Sequence, residues 1–176
     1  MQIETNRLIL QPLTLEDVGN FFALDSDPDV MKYLARPPAS DKQLVRSLIE
    51  KKIDYNQRNP GLGYWALMEK KSKSFIGQFS LAHIEFDETK EIEIGFRFLP
   101  YFWGRGFATE MGKELIRHGF DHLKLKRIVG LTHPDNLISQ KVLDKIGFKY
   151  TRLDFYYGIR VRLFEITKST PTFETQ

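Results

Sequence analysis

The stretch Tyr101-Phe102-Trp103-Gly104-Arg105-Gly106-Phe107-Ala108-Thr109-Glu110 carries two glycines one residue apart, between an apolar run that ends at Pro100 and a helical pattern. Anion binding is the chemistry such a corner offers. Ile92 to Leu99 reads as a buried strand, and Ala108, Met111, Leu115, Ile116 and Phe120 recur at helical spacing, so the glycines fall at a helix N-terminus. The first amides of a helix have no intrahelical partner, and the aligned peptide dipoles place about half a positive charge there. Glycine lets those donors approach an anion with no side chain between. A tight strand-to-helix connection without a ligand has the same letters.

Two nucleotide loops are excluded. No Lys-Ser or Lys-Thr follows the second glycine, as a P-loop requires, and Thr109 stands where a dinucleotide fingerprint has its third glycine. A second block runs from His133 to Phe148, after a strand at Arg127 to Thr132. It reads as a Pro-containing turn, a helix capped by Asp135 or Asn136, an apolar face of Leu137, Val142, Leu143 and Ile146, and a stop at Gly147.

Together these blocks resemble the GNAT superfamily of N-acetyltransferases. Its pyrophosphate loop, Gln/Arg-x-x-Gly-x-Gly/Ala, falls on Trp103 through Ala108, with Trp103 in place of the usual Gln or Arg. Asn136, Ser139, Leu143, Gly147 and Phe148 are similar to the Asn-x-x-Ser-x-x-x-Leu-x-x-x-Gly-Phe signature of the ribosomal-protein-type, RimJ/RimL-like members. Thr5 to Leu13 looks like the family's first strand, so the likeness spans nearly the whole chain.

The resemblance implies an α+β fold whose mixed, mostly antiparallel sheet is flanked by helices. It also implies acetyl-CoA as cosubstrate and transfer of its acetyl group to a primary amine: a protein N-terminus, an amino acid, a polyamine or an aminoglycoside-type compound. The pantetheine arm would pair with Glu91 to Leu99 as an added strand, its carbonyls and the acetyl oxygen reaching amides near Phe98 and Leu99. The pyrophosphate would meet the amides of Gly104, Arg105, Gly106, Phe107, Ala108 and Thr109, with the Arg105 side chain adding charge. Asn136 would touch the pantetheine, and Ser139, one turn later on the same face, would protonate the departing thiolate. Helix capping and local backbone bonding are the alternative roles of that pair.

Direct transfer needs a neutral amine. An α-amino group with a pKa of about 8 is about one-tenth neutral at pH 7, whereas lysine at about 10.4 is neutral in about one molecule in 2,500. Glu93 is the candidate base: it stands in an otherwise apolar strand beside the carbonyl-binding segment, and matches a glutamate that serves as base in several GNAT enzymes. Alternation puts Glu93, Gly95 and Arg97 on one face, where an ion pair between Glu93 and Arg97 is the competing reading. Tyr33, Tyr156 and Tyr157 are candidates for the acceptor pocket, with packing as their alternative. His118 and His122 have the i, i+4 spacing of a metal pair but no third ligand, and no metal is expected. Lys124, Lys126 and Arg127 form a solvated loop or attract the 3′-phosphate of the cofactor.

Composition narrows the classes further. At 176 residues, 41% hydrophobic, the chain can bury one sizeable core, and 26 basic against 23 acidic residues leave a net charge of only +3. Nucleic-acid binding is not implied. Zero cysteines exclude disulfides, thiolate metal sites and a cysteine nucleophile, and suit a reducing, cytoplasmic setting. No signal peptide and no membrane span are expected. The expected partners are the amine acceptor and a second copy of the chain, as a homodimer. A noncatalytic acyl-CoA sensor or partner-binding module on the same fold is the competing class.

The elements that must position these residues follow the hydrophobic pattern. A first strand is expected over Ile3 to Pro12, then a helix from Thr14-Leu15-Glu16-Asp17 with Val18, Phe21, Phe22 and Leu24 inward. A short helix at Asp29 to Leu34 precedes the Arg36-Pro37-Pro38 break, and Ser40 to Gln43 forms a capping box for a helix with Leu44, Leu48 and Ile49 inward. Strands follow at Tyr64 to Glu69, Ser74 to Ile84 and, after a loop at Asp87 to Lys90, Glu91 to Leu99; Phe148 to Tyr156 and Ile159 to Thr167 close the chain as a hairpin. One domain is expected over residues 1–168, with a flexible tail over 169–176.

Overall fold

A computed structural model of the chain describes residues 3–86 and 89–168. The expected tail and the tip of the Asp87 to Lys90 loop lie outside the described residues. Eight strands form one sheet in the order β1-β2-β3-β4-β5-β6-β8-β7. They are β1 (Ile3–Glu4), β2 (Leu8–Pro12), β3 (Gly63–Glu69), β4 (Phe75–Phe86), β5 (Thr89–Phe98), β6 (Arg127–Thr132), β7 (Lys149–Tyr156) and β8 (Ile159–Thr167). Every pairing is antiparallel except β5 with β6, which gives the mixed, mostly antiparallel sheet.

Alternation along the strands feeds two apolar layers. Leu8, Leu10, Leu67, Phe79, Leu81, Ile94 and Phe98 meet α4 (Phe107–Arg117) and α5 (Leu137–Lys145) through Phe107, Met111, Leu115 and Leu143. The other face carries Ala66 and Phe75 against α1 (Val18–Ser26) and α3 (Lys42–Arg58), which contribute Phe21, Leu24, Val45 and Ile49. Because Ile94 and Phe98 face α4, the alternate residues Glu93, Gly95 and Arg97 lie on the opposite face, where Arg97 meets Asp25 of α1. The short α2 (Pro28–Met31) follows α1, its amides at Asp29 and Val30 capped by the Asp27 carboxylate.

The elements depart from the sequence pattern at identifiable points. The first strand is two: Thr5 N donates to Leu8 O at 2.9 Å and Thr5 Oγ1 accepts from Leu8 N at 3.1 Å, so the chain doubles back and β1 pairs with β2. In α3 the inward residues are Val45 and Ile49, while Leu44 is exposed. Its cap is Asp41, whose carboxylate accepts from Leu44 N at 2.8 Å; one residue of register separates this from the Ser40 box. Leu137 is likewise exposed at the start of α5, as is its neighbour Ile138. After α4 the chain makes a π-helical turn at His118–His122 before β6.

Candidate active site

β5 and β6 run parallel and share one register position, Glu93 opposite Val129, while β5 stays paired with β4 down to Phe98 opposite Gly77. Past Glu93 the two parallel strands part. The direction of the freed groups follows from the ladder. Leu99 N donates to Ile76 O at 2.9 Å, and opposite residues in an antiparallel pair alternate between exchanging both bonds and exchanging none. Phe98 and Phe96 therefore turn their N–H and C=O groups away from β4, into the opening. The Phe98 carbonyl shows this directly, accepting from Trp103 Nε1 at 2.7 Å. Trp103, at the position usually held by Gln or Arg, thus pins the loop to the end of β5. Leu99, expected beside Phe98 as a donor, has both main-chain groups engaged, since its carbonyl accepts from Phe102 N at 2.9 Å. The open amides belong to Phe96 and Phe98.

At the foot of the opening lies the glycine corner. Gly104 and Gly106 have φ of +73° and +78°, a region that disfavours side chains. A Cβ on Gly104 would meet nothing within 4 Å, and one on Gly106 would meet only Arg7 Nη2 at 3.7 Å, so the concave side is clear. No side chain caps the N-terminus of α4, which leaves its first amides free of side-chain partners. Arg7 borders this corner: it donates to Arg105 O at 3.2 Å, pairs with Glu110 at 2.5 Å and lies 4.6 Å over the Phe107 ring. Burial alone raises the Glu110 pKa, but hydrogen bonds from Thr5 and Arg7 outweigh it and hold the carboxyl below its usual range. Arg105 itself is drawn 4.3 Å over the Tyr101 ring. Sequence reasoning missed Arg7, because nothing in the letters joins it to a helix a hundred residues on.

The second helix N-terminus at this end of the sheet belongs to α5, since α4 and α5 each follow one of the two diverging strands. Asn136 is its cap, with Oδ1 accepting from Ser139 N at 3.1 Å. That leaves Asn136 Nδ2 and Ser139 Oγ without hydrogen-bond partners among the described residues. His133 stacks on Tyr33 with centroids 5.4 Å apart, and its Nδ1 accepts from Asp135 N, shaping the turn before the helix.

Glu93 sits where the strands part. Desolvation pushes its pKa up to about 7, against a hydrogen bond from the Leu131 amide that pulls the other way. Its carboxylate leans over Gly95: Oε2 is 4.0 Å from where a Cβ on that glycine would sit. Two phenols share the space. Tyr64 is pushed up to about 12 by burial, then by Tyr55 and by the charge of Glu93, and Tyr156 is pushed up by burial and Glu93. Tyr157 packs on Tyr156 with centroids 4.5 Å apart. Tyr64 was not singled out from the sequence; its place opposite Ser80 on β4, beside Gly95, appears only in the register.

The alternatives to these roles resolve differently. Arg97 is not tied to Glu93: it forms an ion pair with Asp25 of α1 and donates to Gln78 Oε1 at 3.3 Å. Arg127 pairs with Glu91 at 2.5 Å and Glu165 at 2.8 Å at the far end of β6, away from the cleft. His118 shares its Nε2 contact with Gly61 O at 2.9 Å rather than with His122.

Residues 7–149 match the Acetyltransferase (GNAT) domain family. Among relatives, the N-acetyltransferase p20 of Bacillus licheniformis, itself uncharacterized, is 32% identical over 92% of this chain and 90% of its own. The FsC-acetyl coenzyme A-N(2)-transacetylase of Aspergillus fumigatus is 32% identical over 87% of this chain and 67% of its own. Among solved structures, the RimL ribosomal L7/L12 alpha-N-protein acetyltransferase in complex with coenzyme A superposes with a TM-score of 0.80 at 18% identity, covering 95% of this chain and 98% of that one. The chain belongs to the GNAT acetyltransferase family. It is an acyltransferase with the eight-stranded GNAT fold and acetyl-CoA as its cosubstrate.

Proposed function

We propose that the chain moves an acetyl group from acetyl-CoA to a primary amine by direct attack, with Glu93 as general base. The observation that carries this reading is a desolvated carboxylate, raised to about 7, on a residue only partly buried, at the point where β5 and β6 separate. The opening fits the cosubstrate on three counts: open main-chain amides on Phe96 and Phe98, a glycine corner with a clear concave side, and a helix N-terminus without a side-chain cap. When bound, acetyl-CoA supplies an activated acyl thioester.

Both main-chain groups of Phe96 and the Phe98 amide hold its linker as an added strand, while the Phe98 carbonyl stays with Trp103. Gly104 through Thr109 present amides to the pyrophosphate, with the guanidinium of Arg105 beside the corner adding charge and Arg7, paired with Glu110, bracing it. Asn136 Nδ2 bonds the linker from the other side. Glu93 takes the proton of the incoming ammonium through a water, and Ser139 Oγ returns one to the departing thiolate. Tyr64, Tyr156 and Tyr157 wall the acceptor end. The RimJ/RimL-like branch is part of this reading, resting on Asn136, Ser139, Gly147 and Phe148, and a cytoplasmic setting accompanies it.

Mass spectrometry of an amine and peptide library incubated with acetyl-CoA, read alongside release of free coenzyme A, tests it. The expected result is at least one N-acetylated product formed in step with free thiol. Binding of acetyl-CoA with neither product nor thiol, in a folded protein, would make the chain an acyl-CoA sensor instead.

A further inference from the structure

Beside the catalytic end of the cleft, the sheet face that carries Glu93 also carries a cluster of cations around one buried carboxylate. Asp25, 1% exposed, takes Arg36 Nη2 at 2.7 Å and the Arg97 guanidinium. Lys52, reaching in from α3, has no carboxylate partner among the described residues. Its Nζ donates to Gln78 Oε1 at 2.5 Å and lies 5.1 Å over the Phe21 ring and 5.5 Å over the Tyr64 ring. Gln78 Oε1 also accepts from Arg97, so one neutral oxygen serves two cations. Arg36, Arg97 and Lys52 thus surround one buried carboxylate, Asp25; the two arginines pair with it, and Lys52 does not.

A purely structural cluster would be expected to give each desolvated cation a carboxylate. Buried ion pairs are costly to desolvate, and an unpaired buried cation beside other cations costs more still. Lys52 shows that cost: burial first, then Arg97, drives its pKa well below the ordinary lysine value. An anion brought to it would relieve both.

The register gives the spacing. Gln78 lies opposite Arg97, and Ser80 lies opposite Gly95, over which the Glu93 carboxylate leans. Two residues along a strand separate these levels, about 7 Å at the usual rise. Resting on the acetyltransferase reading above, we infer that the acceptor is an amine carrying a single carboxylate four or five bonds beyond its amino-bearing carbon, with Lys52 and Arg97 reading the carboxylate while the amine faces Glu93. Lys52 is a single cation without a carboxylate partner among the described residues, which favours a carboxylate over a phosphate dianion, and the spacing favours an extended amino acid over glycine.

Three acceptors of one length and similar amine basicity separate the cases: 5-aminopentanoate, n-pentylamine and 1,5-diaminopentane. Acetylation kinetics should rank 5-aminopentanoate at least about tenfold above pentylamine in kcat/KM, as expected for hydrogen bonds to a charged group, with the diamine lowest. The ω-amino acid series should peak at 5-aminopentanoate or 6-aminohexanoate. Lys52→Met should bring the amino acid down to within about threefold of pentylamine, chiefly through KM, and Lys52→Arg should keep the preference. Coenzyme A binding by each variant reports that the fold persists.

A diamine or neutral preference, a phosphate analogue better than the carboxylate, a peak at glycine, or a preference unchanged in a folded Lys52→Met would overturn the inference. So would acetylation of other amines with none of the three. These outcomes leave the acetyltransferase reading standing. Absence of coenzyme A release with every amine in a broad panel would instead remove that reading, and this inference with it.

Discussion

At Glu93 the same burial that suits a base for work near neutrality also weakens the fold. A carboxyl raised to about 7 is protonated through much of the mildly acidic range, so kcat should climb as pH passes through about 7 and level off above it. Glu93→Gln should lose most turnover just above pH 7, where the wild-type carboxyl is ionised and the amine still protonated, and less both at low pH, where that carboxyl already holds its proton, and at high pH, where the amine is already neutral; a loss independent of pH would contradict the base role. Linkage gives the sign for stability. Between the unfolded carboxyl value and about 7 the native state binds the extra proton, so the native protein loses stability as pH rises through that window. Glu93→Gln should therefore stabilise the fold at pH 8 by an amount on the order of 1 kcal/mol once solvent screening is allowed for, read as a higher melting temperature, and have little effect near pH 4.5. Asn136 separates two roles in the same way. Asn136→Asp keeps an oxygen for the Ser139 amide but removes the Nδ2 donor, so melting should hold while acetyl-CoA affinity falls; Asn136→Ala should lose both, with about 1 kcal/mol of capping.

The elements that position these residues were legible where pattern and turn chemistry agree. The glycine corner, the strand Arg127 to Thr132 and the closing hairpin around Gly158 could be read from glycine placement and alternation alone. The doubling of the first strand could not. Thr5 through Arg7 look strand-compatible, and only the Thr5 side chain, bonding Leu8, turns them. Nor could the parting of β5 from β6, because a strand pattern says which residues are apolar and not where a ladder stops. The corner makes its own prediction. Gly106→Val forces a β-branched residue to φ near +78° and fills the concave side, so isothermal titration should show acetyl-CoA affinity reduced at least about tenfold. Affinity unchanged in a folded variant would mean that the phosphates bind elsewhere.

Across the whole molecule, the site is assembled from distant pieces held by charge. Arg7 reaches the corner from the first hairpin, and Asp25 ties α1 to β5 through Arg97. Neither pairing leaves a trace in the sequence, since each joins residues far apart with no shared motif, and Lys52 looks like any other helix lysine until the sheet comes to lie beneath it. Burial pushes the Asp25 carboxyl upward, but Arg97 and Arg36 outweigh it and hold the group below its usual range. Its contribution is thus present above the ordinary aspartate value and lost as pH falls through the lowered one. Asp25→Asn should cost about 3 kcal/mol at neutral pH, read by denaturant melts, and the difference from wild type should shrink in acid. The central claim is that the gap between β5 and β6 receives the cosubstrate along its main chain. Amide hydrogen exchange, resolved by residue, tests it with and without coenzyme A: the amides of Phe96, Phe98 and Gly104 to Thr109 should exchange freely alone and become protected on binding. Protection that spares them and gathers at another surface would contradict the account.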